Sequence, residues 1–248
     1  MVGTEALATI VRSGMLRLKG SRRPYPSLFF MPGIKQQPWW HSSELLGADG
    51  CDWVAELESK ADVICSEYRN LISAERLSKR KVKENDYELK KDEHQLHSGN
   101  WDWYSFVLKG KWQSDMEELC PTTSTLIKNI PGLMTGLPFS YCFFSSLQPN
   151  SKIDAHVAPC NLRVRCHLPL IVPKKQEDEV QVKCGLSVAG ETVEWETGKG
   201  LLFDDAYEHR AWNLRESERV VLLVDVWNPE ILPEEREHIK KMFASVNS

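Results

Sequence analysis

Two arginines and a histidine alternate with apolar residues along one segment of the chain. Arg163, Arg165 and His167 occupy every second position, and the residues between and beside them are Leu162, Val164, Cys166 and Leu168. Because successive side chains of a β-strand point to opposite faces, a strand here carries the three polar groups on one face. That face is either the solvated side of an edge strand or a basic wall inside a barrel. A buried basic wall requires anionic ligands, and carboxylates are the natural complement.

Two further histidines lie on either side of this segment. His156 precedes it, and His209 follows it further along the chain. Imidazoles from two separated strands can converge at the mouth of a barrel and bind Fe(II), Zn(II) or Cu(II), although two surface or turn histidines would look the same in sequence. Arg219, at the head of the apolar run 220–224, favours the functional interpretation. An arginine that enters a buried strand needs an anionic partner.

The elements that must position these groups are mainly β-strands. Candidate strands, separated by Pro and Gly turns, are 103–108, 141–147, 162–170, 180–186, 192–196, 200–203, 208–213 and 219–226. Regular short strands of this kind predict a sandwich or a barrel.

Helical patterns flank the strands. Apolar residues at helical spacing predict one long amphipathic helix over 51–78, and Pro121 opens a short helix over 120–130. A C-terminal helix starts at Pro233, with acidic residues in its first turn. Residues 76–92 are dense in charges of both signs and are predicted to form a solvated loop. Residues 1–50, rich in proline, are predicted to form an irregular N-terminal arm.

Composition limits the function classes. The 248 residues are 42% hydrophobic and 27% charged, which excludes a wholly disordered or collagen-like chain. With 31 Lys and Arg against 35 Asp and Glu, the net charge of -4 gives no basic field, so nucleic-acid binding is disfavoured. No apolar run approaches the ~20 residues of a membrane span, and no secretory signal is visible.

The cysteines indicate a compartment. Seven are present, an odd number, and none forms a C-x-x-C pair, which favours reduced thiols. We therefore expect a cytoplasmic location. An organelle or a membrane-associated compartment stays open, because the stretch 12–23 is basic and free of acidic residues.

Three blocks of sequence closely resemble the aspartyl/asparaginyl β-hydroxylase family of Fe(II)- and 2-oxoglutarate-dependent oxygenases. They are HVAPCNLRVRCHL from residue 156, WETGKGLLFDDAYEH from residue 195 and RVVLLVDVWNPE from residue 219. The stretch MPGIKQQPWW from residue 31 also looks like that family's entry to its oxygenase domain. Most 2-oxoglutarate oxygenases carry a carboxylate two residues after the first histidine. Here that position is Ala158, as this family's iron site without a carboxylate ligand implies.

The resemblance implies a mainly β fold with flanking helices, namely a double-stranded β-helix, the jelly-roll or cupin-like barrel. It predicts a single oxygenase domain over 51–248 after the arm 1–50. Within this domain, 51–100 form helical support, 101–228 form the barrel core and 229–248 form the C-terminal helix.

The resemblance also implies roles for individual residues. His156 and His209 are the expected Fe(II) ligands. Arg219 is expected to hold the C5 carboxylate of 2-oxoglutarate, and the other expected co-substrate contacts are Ser145, Arg165 and His167. Arg163 is expected to grip the acidic side chain of the substrate. Asp205 either orients a ligand or an iron-bound water, or is an ordinary turn residue.

The implied reaction uses 2-oxoglutarate and O2 as co-substrates and hydroxylates the β-carbon of an Asp or Asn residue in a protein or peptide. Animal members act on disulfide-containing modules in the secretory lumen and carry a membrane anchor. Neither an anchor nor a signal is visible here, so the substrate is expected to differ. A catalytically inactive relative that binds carboxylates or peptides is the alternative. A two-histidine zinc hydrolase ranks last, since it lacks a third ligand and a general base.

Overall fold

The computed structural model describes residues 23–47, 50–73, 96–177 and 179–246. The predicted loop over 76–92 and most of the basic stretch 12–23 therefore lie outside the described residues. Among the residues that the structure describes, none of the helices combines the length and apolar composition needed for crossing a bilayer. All seven cysteines lie within the described ranges; none of them forms a disulfide bond there, and six are buried.

In the ranges that the structure describes, twelve strands form two antiparallel sheets. Their bounds are β1 Trp39–Trp40, β2 His97–Ser98, β3 Trp101–Leu108, β4 Lys111–Trp112, β5 Cys142–Leu147, β6 Ser151–His156, β7 Arg163–Ile171, β8 Cys184–Val188, β9 Glu191–Glu194, β10 Leu201–Phe203, β11 His209–Asn213 and β12 Arg219–Trp227. The larger sheet has the order β1-β10-β7-β12-β5-β3-β4, and the smaller sheet has the order β2-β6-β11-β8-β9.

The two sheets face each other across an apolar layer. Leu147, Phe203 and Val221 from the larger sheet pack with Leu186 and Ala211 from the smaller one. Two facing antiparallel sheets with helices on the outside form the double-stranded β-helix, or jelly roll. The predicted fold class is confirmed.

Strand β7 has the alternation that the sequence predicts. Val164, Cys166 and Leu168 belong to the core cluster that also contains the helical residues Leu57 and Tyr68. The opposite face of β7 carries Arg163, Arg165 and His167, and the last two line a pocket. Its neighbour β12 is buried along its whole length and lies between β7 and β5 at the centre of the larger sheet.

The helix predicted over 51–78 is wrong as a single element. The structure has two helices, α1 Trp53–Ser59 and α2 Ala61–Leu71, which are separated at Lys60. The Lys60 backbone N–H bonds to the Leu57 carbonyl at 3.1 Å, a tight turn that ends α1 and lets both helices bury their apolar stripes. Helical spacing continues through the break, so the sequence pattern gives no sign of it.

The remaining helices are short or terminal. The predicted helix over 120–130 is confirmed as α4 Pro121–Lys128, and the C-terminal helix is confirmed as α5 Pro233–Val246. The five-residue helix α3 Asp115–Leu119 was not predicted.

Strand β6 is the most important element that the sequence did not predict. Lys152, Asp154 and Ala155 are exposed, and only Ser151 and Ile153 are buried, so the segment lacks an apolar signature. The eight predicted strands are present, although the one predicted over 180–186 lies at β8 Cys184–Val188. Val180 is 97% exposed, which explains why the strand begins later.

The described part of the N-terminal arm lies against the barrel and contains a turn at 32–34 and a 3-10 helix over Ser42–Glu44. The Ser27 N–H bonds to the Ala158 carbonyl at 3.0 Å, and the Phe29 N–H bonds to the Pro159 carbonyl at 2.8 Å. Further along, β1 adds an edge strand beside β10. The arm therefore lies against the loop that follows β6.

Candidate active site

The two predicted metal-binding histidines lie side by side. His156 is the last residue of β6 and His209 is the first residue of β11, and the two are direct partners in the register of the smaller sheet. Their ring centroids are 4.1 Å apart. Neighbouring antiparallel strands thus bring together two imidazoles that are far apart in sequence.

Both histidines have their tautomer fixed by the local backbone. His156 Nδ1 lies 2.8 Å from the Asp154 carbonyl oxygen, and His209 Nδ1 lies 2.9 Å from the Tyr207 carbonyl oxygen. A carbonyl oxygen only accepts, so each Nδ1 carries the hydrogen and each Nε2 keeps a lone pair. Burial lowers the pKa of both rings, most strongly for His209, which favours the neutral form that binds metals.

The described residues supply no third protein ligand beside the pair. Within the described ranges, no group of three or more His, Cys, Asp or Glu side chains is placed to hold a metal ion. Ala158 is buried and offers only a methyl group, while Asp154 is exposed and lies 3.4 Å from Lys152 Nζ. The donor set is therefore two neutral imidazoles, which fits a metal that takes its remaining ligands from other molecules.

Arg219 is a buried cation near this pair. Its Nη1 donates to the Ser145 carbonyl at 3.0 Å and to Ser145 Oγ at 3.3 Å, and its guanidinium carbon lies 4.7 Å from the centroid of the Trp195 ring. In the part of the chain that the structure describes, no carboxylate forms an ion pair with it, and its Nε has no hydrogen-bond partner. Burial lowers the pKa of Arg219 to about 10. An uncompensated buried guanidinium is suited to an anionic ligand.

His167 adds two more unused polar atoms. It is buried, and neither ring nitrogen has a hydrogen-bond partner among the described residues. Burial lowers the pKa of His167 well below its ordinary value, and the nearby cations Arg219 and Arg165 lower it further. Buried polar atoms of this kind need a partner, so a polar ligand is required here too.

One pocket joins these groups. Six residues predicted from the sequence line it, namely Ser145, His156, Arg165, His167, His209 and Arg219. Apolar side chains, among them Leu186, Phe203 and Leu223, complete the wall. Trp101 also lines the pocket and was not predicted, because a tryptophan at the start of a strand carries no signal of such a role.

Arg163 and Asp205 lie beside this pocket in an ion-pair network and do not line it. Arg163 Nη2 is 2.6 Å from Asp205 Oδ2, and Arg163 Nη1 is 3.1 Å from Asp225 Oδ2 and also donates to the Phe139 carbonyl. Arg165 bonds to Asp225 at 2.7 Å through Nε and contacts Asp205 at 3.1 Å through Nη1. The sequence reasoning missed Asp225. The roles expected for Arg163 and Asp205 stay predictions.

The network is electrostatically complete. Burial alone would lower the pKa of Arg163, but Asp205 and Asp225 raise it above its ordinary value. Burial would likewise raise the pKa of Asp205, yet Arg163 and Arg165 lower it below the usual range. Two guanidinium groups and two carboxylates thus neutralise one another next to the pocket.

The sequence is similar to known proteins over most of its length. A family model described as aspartyl/asparaginyl β-hydroxylase matches residues 58–229. The aspartyl/asparaginyl beta-hydroxylase of Homo sapiens is 31% identical over 213 residues, which cover 86% of this chain and 26% of that protein. The chain therefore spans about a quarter of that relative's length.

Two further proteins extend the comparison. The ornithine lipid ester-linked acyl 2-hydroxylase of Rhizobium tropici is 38% identical over 129 residues, or 51% of this chain and 42% of that protein. A solved prolyl-4-hydroxylase from Pseudomonas putida matches 71% of this chain and 98% of its own, with 14% identity and a TM-score of 0.37. Because the family model covers well over half of the sequence, the chain belongs to the aspartyl/asparaginyl β-hydroxylase family.

Proposed function

We propose that the protein is an Fe(II)- and 2-oxoglutarate-dependent dioxygenase that hydroxylates the β-carbon of an Asp or Asn residue in a protein or peptide. One observation carries the proposal. A single pocket combines two imidazoles that each keep an Nε2 lone pair with a buried arginine that has no carboxylate partner in the described part of the chain. A metal and a dicarboxylate together satisfy these groups.

His156 and His209 would hold the iron. Imidazole nitrogen suits Fe(II), and the hydrogen bonds from each Nδ1 orient the rings before any metal arrives. When bound, Fe(II) and 2-oxoglutarate would supply the oxidation of a C–H bond by O2, with succinate and CO2 as products. The small buried side chain of Ala158 leaves the protein without a third ligand at this position.

Arg219 and its neighbours would hold 2-oxoglutarate. Arg219 would form charge-assisted hydrogen bonds with the C5 carboxylate, and Ser145 would support it from the same strand pair. His167 and Arg165 would provide further donors from β7. Phe203, Leu186 and Leu223 would exclude water from the space around the ligand and so strengthen these contacts.

Arg163 remains the proposed contact to an acidic substrate side chain. Its donors already bond to Asp205, Asp225 and the Phe139 carbonyl, so a substrate carboxylate would have to displace one of these partners. Asp205 is thereby proposed to orient Arg163 and Arg165, and to act on the iron site only through them.

Two alternatives deserve a direct test. The relative from Rhizobium tropici is named for hydroxylation of an acyl chain, so an acyl group is a second candidate substrate. A catalytically inactive carboxylate-binding or peptide-binding module is the other alternative. The joint presence of His156, His209 and Arg219 in one pocket argues against it.

The first experiment is anaerobic binding of Fe(II) and 2-oxoglutarate to the purified protein, with the visible charge-transfer band of the chelate as the signal. His156→Ala is the control, because one histidine alone cannot hold the iron. A band in the wild type that is lost in the variant supports the proposal. A folded wild type without the band contradicts it and favours the binding module.

The second experiment distinguishes the substrates. Peptides with Asp, Asn or Ala at one position, and an acyl lipid, are incubated with Fe(II), 2-oxoglutarate and O2. The proposal expects succinate and a product with one added oxygen atom only from the Asp or Asn peptides. Oxygen incorporation into the lipid alone would contradict the peptide proposal and identify the acyl chain as the substrate.

We also propose a reducing compartment such as the cytoplasm. The lack of disulfide bonds among the seven cysteines, all of them in the described ranges, supports this proposal, because disulfides form and persist in oxidising compartments. Lysis of cells in denaturant that contains an alkylating agent and no reductant, followed by mass analysis, tests it. All seven cysteines should be alkylated, and a disulfide-linked pair would contradict the proposal.

A further inference from the structure

Trp101 contacts Ser145, one of the proposed co-substrate residues, from β3, the strand on the other side of β5 from Arg219. It is the first residue of β3 and is only 8% exposed. Its indole Nε1 donates to Ser145 Oγ at 2.9 Å, across the β3–β5 strand pair. Trp101 also lines the pocket that contains His156, His209 and Arg219.

The hydrogen bonds at Ser145 Oγ determine the direction of its hydroxyl hydrogen. A serine hydroxyl has two acceptor lone pairs and one hydrogen to donate. Trp101 Nε1 at 2.9 Å and Arg219 Nη1 at 3.3 Å are both donors only, so together they occupy both lone pairs. No acceptor among the described residues receives the Ser145 hydrogen. That hydrogen is therefore left for a ligand in the pocket.

We infer that Trp101 is a positioning residue for 2-oxoglutarate, because its indole N–H fixes Ser145 as a hydrogen-bond donor to the ligand carboxylate. The inference rests on the proposed function. Without the indole N–H, the hydroxyl is free to turn its hydrogen away from the ligand and toward other acceptors. Ser145 then binds the carboxylate less often, although its side chain is unchanged.

A neighbouring tryptophan provides a matched control. Trp103 lies two residues further along β3, on the same face, and stacks on Phe143 with ring centroids 4.2 Å apart. It is not among the residues that line the pocket. Trp101→Phe and Trp103→Phe make the same chemical change, but only the first removes the hydrogen bond to Ser145.

The test is calorimetric titration of 2-oxoglutarate into the anaerobic Fe(II)-loaded protein. Trp101→Phe should weaken 2-oxoglutarate binding by about two- to tenfold, the value of one neutral hydrogen bond, while Trp103→Phe should change it by less than about twofold. In a Ser145→Ala background, Trp101→Phe should have no further effect on affinity, because the two residues act as one unit.

The outcomes separate the two claims. A wild type that does not bind 2-oxoglutarate contradicts the proposed function. A wild type that binds it as tightly as Trp101→Phe does overturns the inference alone, and so do additive effects of Trp101→Phe and Ser145→Ala.

A second measurement does not depend on the folding of Trp101→Phe. In protein labelled with ¹⁵N-tryptophan, one indole N–H signal should shift in Ser145→Ala and on addition of 2-oxoglutarate to the Fe(II)-free or diamagnetic Zn(II)-loaded wild type. If no indole signal changes in Ser145→Ala, the hydrogen bond is absent and the inference is wrong.

Discussion

Arg163 and Arg219 are both almost completely buried, at 3% and 1% exposure, yet their surroundings are opposite. Arg163 bonds to two carboxylates and a carbonyl, whereas no carboxylate pairs with Arg219 in the part of the chain that the structure describes. The first arginine belongs to a network that is complete within the protein. The second bonds to Ser145 but pairs with no carboxylate among the described residues, and its Nε has no hydrogen-bond partner there. We therefore propose that Arg219 marks the binding site.

The electrostatic consequences differ in the same way. The two aspartates raise the pKa of Arg163 against the effect of burial, while burial lowers the pKa of Arg219 to about 10. A buried charge without a counter-charge is unfavourable. The folded protein therefore carries an unfavourable contribution at Arg219 that a bound carboxylate would relieve, and none of comparable kind at Arg163.

The largest effect is expected from breaking the complete network. Asp205→Ala leaves Arg163 and Arg165 with one carboxylate between them and should lower the free energy of unfolding by about 3–5 kcal/mol. Asp154→Ala, which removes the exposed partner of Lys152, should change it by less than about 1 kcal/mol. Urea unfolding of both variants measures the difference, and equal stabilities would contradict the structural role of the network.

The next effect concerns ligand binding without a matching loss of stability. Arg219→Met keeps much of the side-chain volume and removes the unpaired charge. It should weaken 2-oxoglutarate binding by about 2–5 kcal/mol. The free energy of unfolding of the ligand-free protein should fall far less than in Asp205→Ala. Calorimetry gives the affinity, and urea unfolding gives the stability. An unchanged affinity would contradict the proposed role of Arg219 in binding 2-oxoglutarate.

The buried His167 side chain should make the free energy of unfolding depend on pH. Burial lowers its pKa in the folded protein, so below the unfolded-state value of about 6.5 only the unfolded chain takes up the proton. The contribution of His167 to the free energy of unfolding is fully present above about pH 6.5. It is lost as the pH falls toward the lowered pKa, by at most about 1.4 kcal/mol per pH unit. His167→Gln should make this acid limb shallower in the metal-free protein. Identical slopes for the two proteins would show that His167 does not contribute.

The smallest effect is expected at the aromatic ring beside Arg219. The guanidinium carbon lies 4.7 Å from the Trp195 ring centroid, and tryptophan is the strongest cation–π partner. Trp195→Phe keeps a ring and should lower the free energy of unfolding by about 0.5–1 kcal/mol. A loss in urea unfolding as large as that of Asp205→Ala would mean that Trp195 has a greater structural role than this contact.

Sequence patterns predicted where Arg163 lies but not what neutralises it. The alternation in β7 placed Arg163, Arg165 and His167 on one face, because a period of two depends only on the strand itself. The neutralisation of Arg163 and Arg165 depends on the register between β7 and β12, where Asp225 is the direct partner of Arg165. Register between distant segments depends on the whole sheet, so the residues around Asp225 alone do not predict its pairing with Arg165.

Three other features of the structure were not predicted from the sequence, each for a different reason. Strand β6 was missed because most of its side chains are exposed, although it carries His156. The break at Lys60 was missed because two consecutive helices keep one helical spacing. The histidine and arginine roles followed from family resemblance, while the contact of Trp101 with Ser145 depends on three-dimensional packing and was invisible in the sequence.

The central position of β12 has a consequence for the order of folding. The strands on its two sides, β10 with β7 and β5 with β3, are all synthesised before it, so the larger sheet remains two unconnected pieces until β12 inserts between them. Such non-local pairing is slow compared with helix formation. Arg219 is the first residue of β12, whereas both histidines lie on the smaller sheet. The part of the pocket around Arg219, the proposed anion-binding part, therefore forms only when β12 has paired, so dicarboxylate binding would report that the larger sheet is complete.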